Sequence, residues 1–113
     1  MKNTILATIL LATASVALAG SPMCDAKRSQ REMAECYQYS VNGAQLRMQK
    51  NYERLSASGR ISNEEADGIN EAHNAWAANT NNRCQDNRCV YDALQTRISQ
   101  VEKIMRKHGL EPY

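Results

Sequence analysis

The sequence predicts an all-α fold: a small antiparallel bundle of about three helices, a long first one and two shorter ones, stapled by disulfides. Three observations carry this. Apolar residues recur at steps of three and four along most of the chain, the period of helices that bury one face. Capping residues and glycines interrupt that pattern at a few defined places. Four cysteines sit in a chain of 113 residues that has no Phe and a single Trp, so the core is thin and covalent links are expected to supplement it. No segment alternates polar and apolar residues with the period of a strand.

The chain opens on a segment with the layout of an export signal, expected to be removed. Lys2 is the positive start, Ile5 to Val16 the apolar stretch, and Ala17-Leu18-Ala19 a small-x-small cleavage site. The apolar stretch is shorter than the roughly 20 residues that span a bilayer. A lipid anchor is not expected either, because Ser21-Pro22-Met23 before Cys24 is a poor lipidation box. Cleavage leaves residues 20–113 as one helical domain, periplasmic or secreted, with no stable membrane insertion.

The first helix of that domain follows from Met33, Tyr37, Val41, Ala44, Met48, Tyr52 and Leu55, one face at steps of three and four. Gly43 lies inside the run at a cost of about 1 kcal/mol against Ala, and Gly59 closes it as a C′ residue. Ser62-Asn63-Glu64-Glu65 is a capping box in which Ser62 accepts from the amide of Glu65 and the Glu65 side chain reaches back. Glu64, Glu65, Asp67 and Glu71 match the helix dipole there, which explains them better than a general acid and base do. Ala66, Ile69, His73, Trp76 and Thr80 form the second stripe.

Asn79 to Arg88 is polar and rich in turn formers, and is expected to be a loop. Asp86 or Asn87 caps the third helix, whose buried edge is Val90, Leu94, Ile98, Val101 and Met105. Lys103, Arg106, Lys107 and His108 suit its carboxyl end, and Gly109 stops it.

Cys24, Cys36, Cys84 and Cys89 allow three pairings. Twelve helical residues would separate Cys24 from Cys36 by about 18 Å, against the roughly 7 Å a disulfide tolerates. That pair is therefore disfavoured unless the chain folds back before Cys36. Cross-links from the amino-terminal pair to the later pair are preferred, each closing a loop worth roughly 4 kcal/mol, with a local Cys84–Cys89 bridge left open. Metal binding is not supported, since neither cysteine pair has zinc-knuckle spacing and exported thiols oxidise.

Basic and acidic residues number 14 and 12, for a net charge of +2, and losing Lys2 lowers it further, so no basic field draws in nucleic acid. No Ser/His/Asp set, Cys/His pair, Cys-x-x-Cys or phosphate loop is present, and neither an enzyme nor a cofactor is expected. His73, on its apolar stripe, reads as a hydrogen-bonded interface residue and Trp76 as core.

Taken in order, Cys36, Val41, Ala44, Met48 and Tyr52, then His73, Trp76, Cys84, Cys89-Val90, Leu94, Arg97-Ile98 and Val101 resemble the LprI-like family of lysozyme inhibitors, formerly catalogued as a domain of unknown function. The resemblance runs from Cys24 to about Val101. It departs at Gln45, His73, Leu94 and Thr80, where the family carries Asp, Gln, Tyr and Arg. It marks Tyr52, His73, Trp76 and Arg97 as motif positions and implies an exported, disulfide-stapled protein that binds lysozyme and blocks it. A lysozyme cleft holds two carboxylates, and Arg83 and Arg88, flanking Cys84 in the polar segment, are the candidates to enter it. The competing expectation is a non-inhibitory periplasmic interaction or immunity module of unknown partner.

Overall fold

The computed structural model describes residues 20–113. The export signal expected over residues 1–19 lies outside the described residues. Among the described residues four helices follow one another, α1 (Pro22–Asp25), α2 (Gln30–Ala57), α3 (Asn63–Arg83) and α4 (Asn87–Lys107), and no strand occurs.

Each start has a side-chain cap. Ser21, Ser29, Ser62 and Asp86 accept from the amides of Cys24, Glu32, Glu65 and Cys89, satisfying donors that the helix leaves without partners. Gly59 and Gly109 take positive φ, +69° and +75°, as residues beyond a helix end often do. The capping box at Ser62 is only half formed. Its hydroxyl accepts from the Glu65 amide at 3.1 Å, but the Glu65 carboxylate lies 3.0 Å from Nε2 of His108 at the end of α4.

α2 and α4 share the closest interface and run parallel, as an up-down-up path requires; α3 returns the chain between them. Tyr37 of α2 meets the Tyr91 ring at one end, and Leu55 shares a cluster with Val101 and Met105 at the other. The core thus falls in two clusters. Val41, Ala44, Met48, Leu94 and Ile98 form the first, with Trp76 against it; Leu55, Ile69, Val101 and Met105 form the second. Tyr52 packs on both. Of α3, only Ile69 and Thr80 are buried.

Two sequence expectations are corrected. The chain folds back at residues 26–29, where Ser29 caps a new helix, so the path from Cys24 to Cys36 is not continuous helix. Their Cα atoms stand 5.4 Å apart and the two residues form a disulfide. Cys84 pairs with Cys89, Cα atoms 5.3 Å apart. Both bridges are local, and the expected cross-links between the two pairs do not form. The polar segment Asn79–Arg88 is also mostly helix: α3 runs through Arg83 and α4 starts at Asn87, leaving three residues between them. Thr80, 5 % exposed, packs inward and holds the last turn of α3 against the weak helix propensity of its asparagines.

Candidate functional site: a stapled turn and a buried aromatic-guanidinium cluster

The turn between α3 and α4 is held from both sides. The Cys84 amide donates to the Thr80 carbonyl at 2.8 Å, the Cys89 amide to Asp86 Oδ1 at 2.9 Å, and the disulfide closes the corner. Arg83 is therefore the last residue of a helix and Arg88 lies in the first turn of the next. They do not share one role. Arg83 is exposed, its Nη1 3.7 Å from the Cys89 sulfur, a weak acceptor.

Arg88 turns toward the amino-terminal segment. Its Nη2 pairs with Asp25 Oδ2 at 3.2 Å, while Asp25 Oδ1 accepts the Tyr37 hydroxyl at 2.6 Å. The Ser21 amide donates to that same hydroxyl at 2.9 Å. Gly20 sits at φ +111°, where an added Cβ would lie 2.9 Å from the Arg88 guanidinium and 3.0 Å from the Tyr37 oxygen. With the Cys24–Cys36 bridge, these contacts bind α1 to both α2 and α4. Burial, reinforced by the Asp25 hydrogen bond, raises the Tyr37 phenol above its ordinary pKa.

The four motif residues Tyr52, His73, Trp76 and Arg97 come together, Arg97 buried and the three rings half-buried. Arg97 is 5 % exposed and donates from Nη2 to the Tyr52 hydroxyl at 2.5 Å and to the Ile69 carbonyl at 3.4 Å. Its Nη1 reaches Gln100 Oε1 at 3.1 Å. His73 lies between the rings of Tyr52 and Trp76, with centroids 4.8 and 5.3 Å away, and the Trp76 indole donates to the Ala93 carbonyl at 3.2 Å. Trp76 thus joins α3 to α4 and packs on the core, as its stripe position predicts.

The Nδ1 of His73 is buried without a partner, and burial together with the nearby Arg97 charge lowers its pKa. Burial raises the Tyr52 pKa although Arg97 pulls the other way. Among the described residues no group of three or more His, Cys, Asp or Glu is placed to hold a metal ion, and no helix is long and apolar enough to cross a membrane.

Two structural residues escaped the sequence reading. Asn51 is fully buried and its Oδ1 accepts the Tyr113 amide at 2.8 Å, tying the carboxyl-terminal tail to α2. Its place three residues after Met48 and four before Leu55, on the same stripe, was the available signal. Asp25 had none, because its partners Tyr37 and Arg88 are distant in sequence.

No curated protein and no solved structure matches the chain. Residues 24–108, which hold both disulfides, the stapled turn and the motif cluster, match the family described as Lysozyme inhibitor LprI, and the chain belongs to that family.

Proposed function

We propose that this protein is exported by cleavage after Ala19, acts in the periplasm or outside the cell, and binds and inhibits a lysozyme. Arg83 enters the partner's carboxylate-lined cleft. The observation that carries the reading is the position of Arg83 in a chain of this inhibitor family: an exposed guanidinium at the rim of a three-residue turn braced by a disulfide. A side chain on a fixed corner loses little conformational freedom on binding, and a guanidinium meets a carboxylate through charge-assisted, often bidentate hydrogen bonds. Arg88 supports the site from behind, since its ion pair with Asp25 fixes the start of α4 against α1.

The test is a titration of the purified, oxidised protein against chicken-type, goose-type and invertebrate-type lysozymes on a cell-wall substrate. The parent protein inhibits at least one class, and Arg83→Ala weakens inhibition at least about tenfold, a loss near 1.4 kcal/mol, with helix content unchanged. Arg88→Ala gives a smaller loss, accompanied by a lower Tm. Absence of inhibition of every class at tens of micromolar protein would instead favour a non-inhibitory interaction or immunity module.

A further inference from the structure

The Cys84–Cys89 bridge joins two helix ends of opposite sign. Cys84 caps the carboxyl end of α3, where the helix dipole disfavours negative charge. Cys89 lies in the first turn of α4, where the dipole favours it. A guanidinium adds to the second effect, since Arg83 Nη1 stands 3.7 Å from the Cys89 sulfur. The other charges at the corner are engaged: Arg88 pairs with Asp25, and the Asp86 carboxylate accepts the Cys89 amide. The two sulfurs are therefore unequal, and Cys89 is the one better able to leave as a thiolate.

The Cys24–Cys36 bridge differs on each count. Cys24 is 0 % exposed, and its sulfur lies 3.6 Å from the Ser40 hydroxyl. Cys36 sits inside α2, beyond its first turn. It shares a groove with Glu32, Glu35 and Lys27, where the carboxylates outnumber the ammonium and oppose a thiolate. Cys84 and Cys89, by contrast, are both half-buried, which leaves their sulfurs open to a small thiol.

We propose that Cys84–Cys89 is a redox-active disulfide that exchanges with dithiols by attack on Cys84, while Cys24–Cys36 is the structural bridge. A thiolate of the dithiol bonds to Cys84 Sγ, the bond between Cys84 and Cys89 breaks, and its electron pair leaves on Cys89. The second thiol of the reductant, once deprotonated, closes on its own first sulfur and displaces Cys84. Of the two protons released, one goes to Cys84 and one to water. The dithiol departs as a cyclic disulfide, oxidised by two electrons, and the protein holds a Cys84 thiol and a Cys89 thiolate beside Arg83. This chemistry does not depend on a lysozyme partner. It bears on the corner all the same, because reduction removes the brace behind Arg83 and sets an anion next to its guanidinium.

The test treats the oxidised protein with dithiothreitol at neutral pH, quenches at intervals with iodoacetamide and maps the label by peptide mass spectrometry. Cys84 and Cys89 are expected to take label at least about tenfold faster than Cys24 and Cys36. Exposure alone would give that order too, so two further readings decide. Brief treatment with glutathione, a monothiol that cannot close a ring, traps the mixed disulfide: glutathione is expected on Cys84 and the alkyl label on Cys89. Arg83→Ala is expected to slow reduction at least about threefold, and Arg83→Lys to restore most of the rate. An arginine that merely holds the turn together would do the reverse, since a looser turn is reduced faster. The proposal is overturned by equal or later labelling of Cys84 and Cys89, by glutathione on Cys89, or by an Arg83→Ala protein reduced as fast as the parent or faster.

Discussion

The buried guanidinium of Arg97 on α4 donates to the hydroxyl of Tyr52 on α2 across the main helix interface. Tyr52 packs on both core clusters, so this one bond fixes the register of α2 against α4 where the two clusters meet. A buried charge is costly unless its donors are bonded. Here two of the three guanidinium nitrogens have partners in Tyr52, Ile69 and Gln100, while Nε has none. The bond to Tyr52 is the shortest of the three.

Tyr52→Phe removes that acceptor and keeps the ring. The cost expected is the desolvation of a donor left unpaired, about 1–3 kcal/mol. Urea unfolding, followed by helix signal, should show a lower midpoint with an unchanged slope, since the surface exposed on unfolding is the same. A midpoint equal to the parent's would mean that water replaces the hydroxyl and that the pair does not set the register.

The second prediction concerns acid. The folded pKa of His73 lies below the unfolded value of 6.5, so the unfolded chain takes up a proton that the folded protein refuses. Stability from this group is complete above about pH 6.5 and falls as pH drops from there toward the lowered folded pKa. His73→Gln puts at this position the neutral residue that the family carries, and should flatten the decline in Tm between about pH 7 and pH 5. The difference between the parent and variant curves isolates the contribution of His73. Parallel curves would show that the ring is hydrated in the folded state.

The helices were legible in the sequence because their buried stripes are long and their caps are strong: Tyr37, Val41, Ala44, Met48 and Leu55 are all buried as the spacing predicts, and Ser62 and Asp86 cap as expected. What escaped was the reversal before Cys36 and the contacts that depend on distant elements. The fold-back at residues 26–29 carries no proline or glycine, and it decides the pairing of Cys24. The stripe of α3 placed Trp76 and His73 inward, but nothing local says that Arg97 would be buried against Tyr52. A charged residue on the edge of an amphipathic helix is usually solvated, and only the arrival of Tyr52 from another helix provides the partner that makes burial tolerable. The family resemblance marked these four positions; the geometry supplies the reason they go together.

The local disulfides change what reduction does. Bridges that close short loops restrict the unfolded chain less than the expected long-range cross-links would. In the loop-entropy picture Cys24–Cys36 contributes about 3 kcal/mol and Cys84–Cys89 about 2 kcal/mol. Cys84→Ser/Cys89→Ser should lower Tm while helix content at low temperature stays near that of the parent, because neither bridge joins α2 to α4. Cys24→Ser/Cys36→Ser should in addition release α1, seen as fast amide exchange at Ser21 and Asp25. Proteolysis of the unreduced protein between Cys36 and Cys84 should yield fragments without an interchain bridge. Disulfide-linked fragments would restore the long-range pairing.

Trp76 offers the sharpest separation between packing and hydrogen bonding. Its ring packs on the first core cluster and against His73, and its indole donates to Ala93 on α4. α3 has few fully buried residues of its own, so this side chain carries much of its attachment to the other two helices. Trp76→Ala should cost about 3 kcal/mol, the low end for a large aromatic truncation, because the ring is only partly buried. Trp76→Phe keeps most of the apolar contact and loses the donor, and should cost about 1–2 kcal/mol. Chemical denaturation of both variants distinguishes the terms. If the two cost the same, the bond to Ala93 dominates, and α3 is held by one polar contact rather than by a packed face. If Phe is neutral, packing alone holds the helix.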